Sequence, residues 1–159
     1  FNQLFSGNGS VTVAFTPLKQ TRHQMGTWAA DAFGNDSACD WIHSFLEEPG
    51  LPAIKRDIGA VINADDHIDC DTAQNCLAAC EVIARLQGQW GVRNSYSEEL
   101  DKWIAANPIA VPNHLKTAAD SAIERILGED SELAELWNEG LPDLAWRRAI
   151  EDLRRRIWG

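Results

Sequence analysis

No run of about 18 apolar residues occurs in these 159 residues, so the sequence offers no membrane-spanning helix. Basic residues are scarce, with 14 Lys and Arg against 24 Asp and Glu and a formal charge of −10. A chain without a basic face is a poor general nucleic-acid binder, because phosphate contacts require one. There is no glycine-rich phosphate loop, no Gly-x-Ser-x-Gly elbow and no His-Glu-x-x-His zinc helix. No cofactor is therefore expected. The four cysteines Cys39, Cys70, Cys76 and Cys80 never stand in the paired spacing of a structural zinc site. Cys76 and Cys80 share one helical face within an apolar stripe, which reads as buried free thiols in a reducing, cytosolic setting.

Apolar residues make up 45% of the chain and charged residues 24%, the proportions of an ordinary globular domain. The charge is unevenly placed. Residues 1–24 hold no Asp or Glu. Residues 25–142 carry 7 basic against 21 acidic residues, a net −14. The last 17 residues reverse the sign to +2, through Arg147, Arg148, Arg154, Arg155 and Arg156. Such a body attracts cationic partners and speeds their encounter. It serves solubility as well.

The first 24 residues read differently from the rest. Ser10 to Thr16 has the pattern of a short strand, and the segment lacks the apolar core of a secretory signal. Composition changes abruptly at Met25-Gly26-Thr27-Trp28. The expectation is an extended or irregular leader over 1–24 and an acidic helical domain over 25–159.

From Asn35 onward the apolar period is helical. Ala38, Trp41, Ile42, Phe45 and Leu46 form one stripe behind the caps Asn35 and Asp36, and Pro49-Gly50 ends it. Ile54, Ile58, Val61 and Ile62 make a second helix. Asp71 is expected to cap a third, with Gln74 completing a capping box and Ala73, Cys76, Leu77, Cys80, Ile83 and Ala84 facing inward. A fourth starts near Ser95 or Ser97 with Leu100, Trp103 and Ile104. Pro112 opens a fifth with Leu115, Ala119, Ala122, Ile123 and Ile126. A short sixth follows Asp130 or Ser131, and a last one carries Trp146, Ile150, Leu153 and Ile157. The fold expected is all-α, six or seven short helices in a compact single-domain bundle.

Seven tryptophans need places. Trp41, Trp103, Trp137 and Trp146 fall on apolar stripes and belong to the core. Trp28 and Trp90, in Gly-flanked loops, are the candidates for an exposed contact, and Trp158 lies at the end of the last helix. Two chemical constellations stand out. Asp65, Asp66, His67 and Asp69 concentrate metal-ligand types, without the glycine and glutamate positions of a calcium loop. Asp36, Asp40 and His43 lie at i, i+4 and i+7 on the first helix. They would be the site of a small carboxylate and histidine enzyme, with or without a metal. The plainer account of Asp36 is a cap.

Several segments carry a resemblance. Met25-Gly26-x-Trp28, Phe33-x-Asn35-Asp36-x-Ala38-x-Asp40-Trp41, Ala78-Ala79-x-Glu81-Val82, Asp130-Ser131-Glu132-Leu133-x-x-Leu136-Trp137 and Trp146-Arg147 together are similar to a bacterial family defined as domain of unknown function 4259. The resemblance covers residues 25–158 and implies no activity or ligand. The functional expectation is a non-catalytic module that engages a basic protein partner, immunity-like or inhibitor-like, with no nucleic acid and no membrane. The alternative is the enzyme built on the first helix.

Overall fold

The structure, a computed structural model, describes residues 30–139 and 143–159. The leader over 1–24, its candidate strand and Trp28 lie outside the described residues. Seven helices follow in order: α1 Asp36–Glu47, α2 Leu51–Ile62, α3 Cys70–Leu86, α4 Glu98–Ala106, α5 Asn113–Ile126, α6 Glu132–Asn138 and α7 Leu144–Trp158. Between described residues, Ile68 and Ser131 form a single parallel β bridge. The fold is all-α.

The central element is α3, which packs against all six other helices. Its sequence explains this. Ala73, Cys76, Ala78, Ala79, Cys80, Val82, Ile83 and Ala84 are fully covered, so the helix is apolar and small on nearly every side. Small side chains let neighbours approach closely from several directions. The other helices bury one stripe each, as their periodicity requires: Trp41, Ile42 and Phe45 on α1, Ile54, Ile58 and Val61 on α2, Ile150, Leu153 and Ile157 on α7.

The tryptophans on the stripes sort as expected. Trp41, Trp137 and Trp146 are buried and Trp103 is half-buried. Trp41 stacks on Phe45 at 5.0 Å and donates its indole N–H to Asp57 Oδ2 at 2.7 Å. Trp137 stacks on Trp146 at 6.0 Å, which joins α6 to α7. An indole that satisfies its N–H buries its large ring without a polar penalty.

The capping at α3 differs from the expected one. Asp69, not Asp71, is the N-cap and accepts from the Thr72 amide at 2.8 Å, so the helix starts at Cys70. With the cap at Asp69, Gln74 falls five residues on, past the box position, and is buried. The reason is tertiary: the Ile68 amide donates to Asp130 O at 2.8 Å and the Glu132 amide to Ile68 O at 2.9 Å. That pairing buries Ile68 and brings Glu132 Oε2 to 2.9 Å from the Cys70 amide. A side chain 62 residues away thus supplies the second cap that Gln74 was expected to provide.

Candidate functional site

Two places in the molecule combine chemistry with position. The first is a buried ion network on the far half of α3. Because α3 is covered all round, Glu81 and Arg85, one turn apart, are buried with it at 3% and 2% exposure. Glu81 Oε1 accepts from Arg85 Nε at 3.0 Å and from Arg156 Nη1 at 2.9 Å, and Oε2 accepts from Arg156 Nη2 at 2.7 Å. Arg85 also pairs with buried Asp101 on α4, which accepts from Ser97 Oγ at 2.9 Å. Arg156 pairs with Asp152 one turn back on α7 at 2.8 Å. The network therefore ties α3 to α4 and α7. Each buried charge in it has opposite charges and hydrogen bonds around it, without which burial would cost several kcal/mol, of order 3 to 5. Burial works against the charged form of Arg156, yet the Glu81 and Asp152 carboxylates together hold its pKa above the ordinary arginine value.

The segment after α3 closes over this network. Arg156 donates to Gln89 O at 3.2 Å and Arg85 to Val92 O at 2.5 Å. Half-buried Trp90 faces two guanidiniums, Arg93 at 4.4 Å and Arg85 at 5.9 Å, and Arg85 also lies 4.9 Å over the Phe33 ring. Gly91 sits directly on the network; a Cβ there would overlap Glu81 Oε1 and stand 3.1 Å from Arg156. Beneath lies a cavity of about 100 Å³ walled by Phe33, Val92, Ile150 and Leu153, with Glu81, Arg85 and Arg156 on its floor. Phe33 is aimed there by a turn in which Asp31 accepts from the Phe33 amide at 3.1 Å.

The second place is an acidic rim. The Ile68–Ser131 bridge sets the start of α3 beside the start of α6. Ser37 donates to Asp71 Oδ1 at 2.6 Å and brings the start of α1 to the same edge. Asp36, Asp65, Asp66, Asp71, Glu129 and Asp130 stand exposed there. Carboxylates are favoured at helix N-termini, which explains why three such ends tolerate this gathering. Asp69 is spent as a cap; the hydrogen bond from the Thr72 amide holds its carboxyl below the usual range despite partial burial.

The sequence candidates distribute as follows. Asp36, Asp40 and His43 are all exposed along α1, and none of them lines the cavity. Asp65, Asp66 and His67 are exposed in the loop before α3. Among the described residues, no three His, Cys, Asp or Glu side chains are grouped to hold a metal ion. Trp90 is half-buried, with its ring against the Arg93 and Arg85 guanidiniums. Trp158 is 50% exposed at the end of α7. Sequence reasoning missed Glu81, Arg85, Asp101 and Arg156 as a unit. The available signal was the near-continuous run of small and apolar residues through α3, which leaves no side of that helix for a solvated charge.

The surroundings of Cys39, Cys70 and Cys76 favour the protonated thiol. Burial pushes the Cys70 thiol up to about 12, aided by Glu132, Asp71 and Asp69. Cys76 is raised by its hydrogen bond with Cys80 and by burial, and Cys39 by burial and the nearby Asp36, Asp40 and Asp31. A thiolate is the nucleophile, so these groups do not suit covalent catalysis at neutral pH.

Fold and sites together define an acidic all-α module assembled around a central helix with a buried ion network. The chain belongs to the family described as domain of unknown function (DUF4259), whose model matches residues 26–149. No curated protein and no solved structure matches it. Many residues that carry the family resemblance have structural duties here. Asn35 caps α1 by accepting from the Ala38 amide at 2.7 Å, Ser131 caps α6, Glu81 holds two arginines, and Trp137 meets Trp146.

Proposed function

We propose that this chain is a non-catalytic, cytosolic interaction module whose acidic rim receives a cationic protein partner, in the manner of an immunity or inhibitor protein covering a basic, nucleic-acid-cleaving toxin. The observation that carries the reading is a sorting of charge. Four of the ten arginines are tied to other parts of the fold: Arg85 and Arg156 in the network, Arg154 on Asp120, and Arg125 on the carbonyls of Val61, Ile62 and Ala64. Six carboxylates meanwhile remain exposed along one edge. A one-signed edge gives orientation and rate to an encounter with an opposite charge. The four free thiols, each without a disulfide partner, support a reducing compartment.

Titration of isotopically labelled protein with an arginine-rich peptide tests the reading by NMR. Amides beside Asp36, Asp66, Asp71 and Asp130 should shift first. The affinity should fall steeply between about 0.01 and 0.15 M salt, where the screening length drops from about 30 to about 8 Å. Shifts scattered evenly over the surface, or binding indifferent to salt, would overturn it.

A further inference from the structure

We propose that Gln89 to Arg93 is a hinged strap that opens as a local unit, ahead of the rest of the fold, and uncovers the cavity and the buried ions beneath it. The strap has a hinge at each end. Gly88 lies at φ +80°, in the left-handed region that favours glycine. At the other end Asn94 and Ser97 close a turn, the Asn94 amide donating to Ser97 Oγ at 3.2 Å and the Ser97 amide to Asn94 O at 3.2 Å. Between these hinges, no amide from Trp90 to Arg93 donates a hydrogen bond to any described residue.

Beyond the Gln89 amide, bonded to Ala84 O at the near hinge, what holds the strap is side-chain chemistry: Arg156 on Gln89 O, Arg85 on Val92 O, the Trp90 ring against two guanidiniums, and the strap's own Arg93 on Asp101 at 3.4 Å. Val92, the strap residue over the cavity, is itself 56% exposed. Segments with few buried apolar contacts and no ladder of backbone bonds occupy the low end of a protein's stability range. The α3 core around Val82 and Ile83, with no exposure, occupies the high end. The two arginines keep their carboxylate partners when the strap lifts, because Glu81, Asp101 and Asp152 all lie outside it. Opening therefore breaks two carbonyl bonds, the ring contacts and the 3.4 Å pair between Arg93 of the strap and Asp101. It admits water to the Arg85 and Arg156 pairs with Glu81, which then fluctuate and exchange as surface pairs do. Lifting the strap also clears Gly91 from Glu81 and opens the cavity wall formed by Val92.

Hydrogen exchange of the full chain in heavy water reads this directly. The Nε–H of Arg85, bonded to Glu81 under the strap, should show protection at least tenfold below that of the Val82 and Ile83 amides. It should stay at least tenfold above that of the exposed Arg148 Nε–H. Arg156→Gln should lower the Arg85 protection by a further tenfold or so while the ranking of the α3 amides holds. Gly91→Ala, which forces the strap off Glu81, should do the same. Two wild-type results overturn the proposal: Arg85 exchanging in step with the α3 amides, which ties the strap to global unfolding, or exchanging like Arg148, which leaves no closed state.

Discussion

At the scale of single residues, the position of Glu81 sets the largest expected effect. Its carboxylate takes three guanidinium hydrogen bonds at 4% side-chain exposure, and Arg85 beneath it is 1% exposed. Glu81→Gln keeps the shape and removes the charge, which leaves two partly desolvated cations short of a counter-ion. Breaking a buried pair from one side costs about 3 to 5 kcal/mol. The lower end applies here, because Asp101 and Asp152 still face Arg85 and Arg156. Arg155→Gln is the matching control: that side chain is 78% exposed, and its loss should change stability by no more than about 0.5 kcal/mol. Urea denaturation of both variants beside the wild type checks the contrast. Equal small losses would mean that the network contributes nothing net.

At the scale of elements, the helix starts show what periodicity conveys and where it fails. The stripes of α1, α2, α5 and α7 were legible, because one-sided burial writes a 3.6-residue period into the sequence. The start of α3 was not. Asp69 and Asp71 are equally good caps locally, and the choice between them is made by the Ile68–Ser131 bridge, a contact no local pattern encodes. The same limit hid the ion network: Asp101 and Arg156, the partners of Arg85 and Glu81, come from other helices, and no pattern within α3 encodes those contacts. Asp36, Asp40 and His43 did share a face as their spacing required, and that face is exposed.

The cap assignment has a pH signature. Because the folded carboxyl of Asp69 titrates below its unfolded value, its contribution is present above about pH 4 and is lost as pH falls through the folded value. Asp120, lowered by its hydrogen bond with Arg154, acts in the same direction. Asp69→Ala should cost about 1 kcal/mol at neutral pH, Asp71→Ala distinctly less, and the gap between Asp69→Ala and wild type should narrow below about pH 4. Stability curves at several acidities measure it; an Asp71→Ala penalty larger than that of Asp69→Ala would return the cap to Asp71.

At the scale of the whole molecule, two kinds of electrostatics coexist and respond oppositely to salt. The exposed rim and the net charge of −10 push the folded chain apart, and folding concentrates those charges. Surface pairs such as Arg154–Asp120 and Lys102–Glu98 pull it together but are weak and easily screened. The Glu81, Arg85 and Asp101 charges lie beneath the surface, where ions penetrate least. Raising salt from about 0.01 to about 0.15 M shortens the screening length from about 30 to about 8 Å, which weakens repulsion between exposed charges far more than attraction between buried groups in direct contact, such as Arg85 and Glu81 at 3.0 Å. The repulsive term should fade first, so the urea midpoint should rise with salt while Glu81→Gln loses nearly the same increment at both concentrations. A midpoint that falls with salt would show the surface pairs outweighing the rim, and the rim would then be too weak a field to steer a cationic partner.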